Sequence, residues 1–185
     1  MRVIAGKAKG HRLRGPRSRR NGAAATRPSS DLVRGAIFSA LASLGADLSR
    51  VLDLYAGSGA LGIEALSRGA RWCDFVEREA AACAVIKANL AATGFEGQAA
   101  VHCLPAERAA DRLAGVYTLV LADPPYADPR AHSVLQSLAA SGLVEAGRTV
   151  VVLEHSSREE PPQELGAMVL QSRRRHGDSA VSIYR

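Results

Sequence analysis

Two stretches of this 185-residue chain hold residue types that do chemistry together. The first is DLYAGSGALG, Asp53 to Gly62. Gly57, Gly59 and Gly62 fall in G-x-G-x-x-G spacing, after an apolar run and ahead of a helical one. Glycine permits φ > 0 and lets a ligand approach the backbone. The amides that open the helix then face an anionic part of that ligand. Tyr55, Gly57, Ser58 and Gly59 are therefore candidate cofactor contacts. Glu77 stands 20 residues after Gly57, at the end of the next expected strand. A carboxylate there can accept both hydroxyls of an adenosine ribose. This set predicts a nucleotide-like cofactor and leaves NAD and S-adenosylmethionine both open. Asp53 discriminates between them. An acidic residue four positions before Gly57 organises a loop around the amino-acid end of S-adenosylmethionine, whereas a loop that takes a pyrophosphate is usually apolar there.

The second stretch is Asp123-Pro124-Pro125-Tyr126, 66 residues after Gly57 and directly behind the apolar run 116–122. Open α/β sheets bind ligands beyond the carboxyl ends of their strands, so both stretches should share one crevice. DPPY resembles the [DNS]-PP-[FYW] signature of methyltransferases that act on exocyclic amino groups of bases. The residue types suit that chemistry. Such an amine is a poor nucleophile, because its lone pair is delocalised into the ring. Asp123 and the Pro124 carbonyl can accept its two hydrogens and favour a pyramidal nitrogen. The prolines remove backbone donors and stiffen the loop. Tyr126 can stack on the base. The methyl donor is already activated, so alignment supplies most of the catalysis. A C5-cytosine mechanism would need a nucleophilic cysteine, and Cys73, Cys83 and Cys103 all lack the context for one.

These stretches need a frame that presents strand ends side by side. The patterning predicts one: strands at 50–54, 72–76, 99–104, 116–122 and 148–154, with helices at 60–68, 80–92, 106–113 and 131–140. Repeated strand–helix–strand units imply a mostly parallel sheet with helices on both faces. Residues 167–173 and 179–184 flank Gly177-Asp178 and predict a C-terminal antiparallel hairpin. Upstream, Leu32, Val33, Ala36, Ile37, Ala40, Leu41 and Leu44 form a helical stripe, capped by Ser29 or Ser30. Residues 2–5 and 12–13 read as a small hairpin, and 15–28 as a linker. The expected division is a basic extension at 1–28 and a catalytic domain at 29–185.

Charge is unevenly placed. Residues 1–34 carry ten basic side chains against Asp31, a net +9, so with +6 for the whole chain residues 35–185 carry −3. Such an arm suits a polyanion, and it has few large apolar groups for a membrane. Arg2, Lys7, Lys9, Arg12, Arg14, Arg27 and Arg34 are the candidate nucleic-acid contacts. Three cysteines without a CxxC pair predict neither a disulfide framework nor a metal site, and suit a cytoplasmic protein. Monomer is the default expectation. His155 reads as a satisfied histidine, and Arg173–Arg175 as either a phosphate contact or a solvated face.

End to end, the chain resembles the RsmD family, bacterial enzymes that methylate guanine N2 in small-subunit ribosomal RNA. RVIAGKAKGHRL resembles the family's N-terminal hairpin, and TRPSSDLVRGAIFSAL its following helix. LDLYAGSGALGIEALSRGA is similar to its cofactor loop, VLADPPY to its catalytic strand, and GDSAVSIYR to its closing hairpin. The resemblance implies a class I methyltransferase fold, S-adenosylmethionine as donor, and 16S rRNA within an assembling 30S particle as substrate. Two departures stand out. Gly35 replaces the family's usual Glu, and Leu104-Pro105 stands where relatives hold the adenine amine with Asp or Asn. Leu104 is then expected to meet adenine through apolar or backbone contact. The competing readings are an adenine-N6 DNA methyltransferase, an NAD-dependent oxidoreductase, and a non-catalytic RNA-binding protein.

Overall fold

A computed structural model describes residues 1–15, 31–126 and 128–185. Strand β1, Arg50–Leu54, is followed by α2, Ala60–Ser67, then β2, Trp72–Glu77, α3, Ala80–Thr93, and β3, Ala99–Cys103. Helix α1, Asp31–Ser43, precedes them all. After β3 come the one-turn helix α4, Ala109–Arg112, strand β4, Leu119–Ala122, helix α5, Ala131–Ala140, and β5, Val150–Ser156. Three antiparallel strands close the fold: β6, Glu164–Leu165, β7, Met168–His176, and β8, Ser179–Tyr184.

The strand order is β3-β2-β1-β4-β5-β8-β7-β6. The first five are parallel, and β8 pairs antiparallel with β5 from Ser156↔Ser179 to Val151↔Tyr184. This is the expected parallel sheet with its C-terminal hairpin. The strands of a parallel sheet covered on both faces read as continuous apolar runs, and β4 is buried at every position. On one face, Ile37, Phe38, Leu41, Ile63, Leu66 and Ile86 pack on Val51, Phe75 and Leu121. On the other, Val134, Leu135 and Leu138 of α5 pack with Leu52, Val120, Leu153 and Tyr184.

The N-terminal segment turns back on itself through Val3 N–H to His11 O and Gly10 N–H to Val3 O, both 2.9 Å, with a single Arg2↔Arg12 bridge in place of two strands. Its Val3, Ala8 and Leu13 belong to the first core, so this arm is docked on the body. The expected linker beyond Gly15, the Ser29 or Ser30 cap and Arg27 lie outside the described residues.

The expected helix at 106–113 is a 3₁₀ turn, Ala106–Arg108, running into α4. Only Ala106 and Ala109 bury there, too few to fix a longer helix. Strand β4 begins at Leu119 rather than 116, because Tyr117 N–H bonds to Leu143 O at 2.8 Å, outside the sheet.

Candidate active site

Strand order reverses between β1 and β4, which makes this gap the topological switch point where such sheets bind ligands. Leu54 and Ala122 are in register. The glycine loop and Asp123 therefore leave neighbouring strand ends side by side.

Asp53 is almost fully buried at the end of β1, and its Oδ2 accepts the Gly62 N–H at 2.8 Å. That bond fastens the first turn of α2 to the strand. Burial, with Asp123 and Glu77 close by, holds the Asp53 carboxyl well above the usual carboxylate range, against the pull of the Gly62 amide. Glu77 closes β2. Its Oε2 accepts the Gly57 N–H at 2.8 Å, and its Oε1 accepts the Glu79 N–H at 2.9 Å. The acidic groups expected at the site, Asp53, Glu77 and Asp123, thus converge on the loop.

The glycines divide the work. Gly57 sits at φ +55°, and a Cβ there would meet only Tyr55 O, at 4.0 Å, so the space over this peptide is open to a ligand. A Cβ at Gly62 would lie 2.4 Å from the Phe75 ring and 2.7 Å from Cys73 Sγ. Gly62 serves helix–strand packing. Tyr55 is the one non-glycine among the described residues with positive φ, at +70°. Its buried hydroxyl has no hydrogen-bond partner among those residues. Burial, then Asp128 and Glu107, push that hydroxyl's pKa upward. Backbone strain of this kind collects at ligand sites. Beside it, Arg130 joins Glu107 at 2.5 Å and Asp128 at 3.2 Å, linking the loop after β4 to the segment after β3.

Pro124 is buried and Asp123 half-buried. Tyr126 is 41% exposed, and its hydroxyl is hydrogen-bonded to Ser179 Oγ at the start of β8. The hydroxyl end of the ring is anchored, and part of the side chain stays exposed. Sequence reasoning missed Ser179. Its signal was a hydroxyl directly after the Gly177-Asp178 turn, on a strand that had to pair with the strand beside β4. Leu104 is half-buried, donates its N–H to Glu77 O at 3.0 Å, and lines a cavity of about 480 Å³ with His102, Cys103, Pro105, Arg108 and Arg112.

In the arm, Arg2, Lys7, Lys9, Arg12 and Arg14 are exposed. Arg34 corrects the expectation made for it. It is fully buried, and its Nη2 donates to Asp31 Oδ1 at 2.8 Å and to Arg2 O at 2.7 Å. It fastens α1 to the arm and does not face RNA. The arm is also held by Glu64 of α2, which is fully buried and accepts the Ile4 and Ala5 N–H groups at 2.8 and 3.1 Å. Ser67 Oγ accepts the Ala8 N–H at 3.0 Å. Asn89 of α3, also missed, reaches both the arm and the loop. Its Oδ1 accepts the Arg14 N–H at 2.8 Å, and its Nδ2 donates to Arg14 O at 3.0 Å and to Ser58 O at 2.9 Å.

His155 is buried between Ser156 O and Ser182 Oγ, both 2.9 Å, and burial lowers its pKa, as befits a satisfied histidine. Arg173 is held by Glu160 and by the carbonyls of Ser157 and Glu159. Burial raises the Cys73 thiol well above its ordinary value and, together with Cys103, pushes Cys83 up to about 12. Neither offers a thiolate near neutrality. Among the described residues, no cluster of three His, Cys, Asp or Glu side chains is placed to hold a metal, and no helix is long and apolar enough to cross a membrane.

A family model described as conserved hypothetical protein 95 matches residues 1–185. YlbH of Bacillus subtilis (strain 168), provisionally named an rRNA methyltransferase, is 36% identical over 189 residues, covering 100% of this chain and 98% of its own. Ribosomal RNA small subunit methyltransferase D of Escherichia coli (strain K12) is 36% identical over 126 residues, 68% of this chain and 60% of its own. The solved structure of yhhF from Escherichia coli, provisionally named a methyltransferase, superposes with a TM-score of 0.81 at 28% identity, covering 100% of this chain and 96% of that one.

Proposed function

The chain belongs to the RsmD family, and from that premise we propose that it transfers a methyl group from S-adenosylmethionine to the exocyclic N2 of a guanine in 16S ribosomal RNA. Its sheet, parallel through β5 and antiparallel beyond, is the class I methyltransferase fold. The observation that carries the reading is the Leu54↔Ala122 register, which sets a carboxylate-lined glycine loop beside a DPPY motif.

The donor set fits S-adenosylmethionine. The open space over Gly57 admits a nucleoside, and Glu77 stands at the strand end suited to ribose hydroxyls. Glu77 and Asp123 suit a ligand that carries positive charge, and buried Asp53 braces the loop through the Gly62 N–H. When bound, S-adenosylmethionine supplies a methyl already activated by its sulfonium. The residues of the chain then do the rest. Asp123 and the Pro124 carbonyl accept the two N–H hydrogens of the guanine amine and turn its lone pair outward. Tyr126, fixed at its hydroxyl by Ser179, stacks on the base and holds it for in-line attack. Once alkylated, the nitrogen is strongly acidic, and its proton leaves to Asp123 or water. The exposed arm cations Arg2, Lys7, Lys9, Arg12 and Arg14 hold RNA phosphates. The substrate is rRNA in an assembling 30S particle, and the enzyme acts as a cytoplasmic monomer.

The test is transfer of labelled methyl to 30S particles from cells lacking the enzyme, followed by digestion to nucleosides. N2-methylguanosine at one site is expected. Transfer to adenine in DNA, with none to 30S particles, would replace the substrate reading and leave the donor reading standing.

A further inference from the structure

Asn89 is 1% exposed, and its side chain sits where the arm meets the glycine loop. Burying an amide is costly unless its polar atoms are bonded. Here two carbonyls, Arg14 O and Ser58 O, meet Nδ2, and the Arg14 N–H meets Oδ1. Two acceptors on one side and a donor on the other admit a single orientation of the amide. The Ser58–Gly59 peptide is gripped from both ends. Its carbonyl goes to Asn89, and its N–H to Ala56 O at 2.7 Å. Met1 adds a second bridge, with its sulfur 3.5 Å from Ser58 Oγ.

The arm does not need Asn89 merely to stay attached. Glu64 and Ser67 hold Ile4, Ala5 and Ala8 further along α2, away from the glycine loop. What Asn89 adds is a direct link between the peptide of one arm cation, Arg14, and the peptide of one cofactor-loop residue, Ser58.

We propose that Asn89 is a positioning residue that couples the glycine loop to the basic arm, so that S-adenosylmethionine and RNA each strengthen the other's binding. It rests on the cofactor and RNA readings above. A ligand that settles the loop fixes Ser58 O, which holds the Asn89 amide, which holds Arg14. By linkage, RNA phosphates that seat Arg14 favour the loaded loop by the same factor.

The test uses the full chain with S-adenosylhomocysteine, so that no turnover intervenes. Amide hydrogen exchange is followed at Gly10 and Leu13, whose N–H groups bond within the arm, while calorimetry on the same samples records binding. In the parent protein, the ligand should slow exchange at Leu13 by about fivefold or more, the lower range of ordinary coupling. In Asn89→Asp, which keeps the acceptor for Arg14 N–H and loses both donated bonds, the slowing should vanish. Arg14→Pro removes the donor from the arm's side and leaves Asn89 in place, and it should weaken the slowing at Gly10, which lies clear of the new proline, even if Asn89→Asp folds poorly. Ser67→Ala loosens the arm elsewhere. It should speed exchange overall and leave the fold-change on ligand addition intact, the pattern Asn89→Asp would share if Asn89 were merely structural. Binding without any slowing at Leu13 would overturn the coupling alone. Equal slowing in Asn89→Asp would do the same. An absence of ligand binding in the parent protein would remove the donor reading and the coupling together.

Discussion

The N-terminal arm and the C-terminal hairpin both flank the crevice, and they are held by different physics. The β7–β8 hairpin is knitted into the sheet by the β5–β8 ladder and by Val181, Ile183 and Tyr184, all buried. No single side chain carries that attachment. The arm has one bridge of its own; it buries Val3, Ala8 and Leu13, but its polar hold on the body comes mostly from side chains of other elements: Glu64, Ser67, Asn89 and Arg34. A backbone ladder tolerates substitution. Attachment that leans on a few buried polar groups weakens when one of them loses its partner. The arm is therefore the flank that mutation can release, and the hairpin the flank that keeps its place.

The largest effect belongs to neither flank. Asp123→Ala should lower methyl transfer by about a hundredfold to a thousandfold, the scale of losing one aligned polar group at a reacting centre. RNA affinity should change little. Single-turnover transfer to 30S particles, with filter binding alongside, reads both, and undiminished transfer would remove Asp123 from the mechanism.

Glu64→Leu comes next, and it tests the arm. It strips the acceptor from the Ile4 and Ala5 N–H groups and from Arg68 Nε, at 2.7 Å. The expected cost is about 3 kcal/mol. It should appear as lost exchange protection in residues 3–13 while β8 keeps its own. Equal loss in both would collapse the contrast between the flanks.

Ser179→Ala tests the hairpin as a positioner. The ladder remains, so the melting temperature should hold, but Tyr126 loses its anchor. We expect kcat/KM to fall about tenfold, a 1.4 kcal/mol effect, and Ser179→Thr to restore it. A fall in melting temperature in place of activity would make Ser179 structural only.

Asp53 gives a pH signature. Its folded pKa is raised, so the folded protein holds this proton more tightly than the unfolded chain does. Stability from this group is complete below the ordinary carboxylate range and is lost as pH rises through the folded value. Asp53→Asn should therefore gain thermal stability relative to the parent as pH rises, while S-adenosylmethionine affinity drops. Parallel melting curves from pH 4 to 8 would contradict the assignment. The smallest effect is expected from Arg12→Ala combined with Arg14→Ala. It should reduce the salt slope of RNA binding by about 0.7 for each phosphate that is no longer neutralised.

Much of the site was legible because its signals are local. A strand, glycines and a helix in sequence announce a ligand loop, and DPPY after a buried strand announces a second edge of the same crevice. The rest depended on distance. Arg34 was counted with the arm by charge, yet it shares a helical stripe with Ile37, Phe38 and Leu41 that turns it inward. Asn89 stands in the buried stripe of Ala82, Cys83, Ile86 and Leu90, where an amide must find partners. Those partners lie 31 and 75 residues away, and no pattern along the chain names them. The arm's anchors escaped for the same reason, since Glu64 looks like an ordinary helix carboxylate until Ile4 and Ala5 arrive beside it.

The bond between Tyr126 and Ser179 spans 53 residues, and this sets an order of events during translation. A ribosome adds about 5–20 residues each second, so roughly 3–10 s separate the making of the aromatic ring from the making of its anchor. Through that interval the glycine loop and the Asp123–Tyr126 stretch are already made, and the partner that fixes the Tyr126 hydroxyl in the folded protein is not.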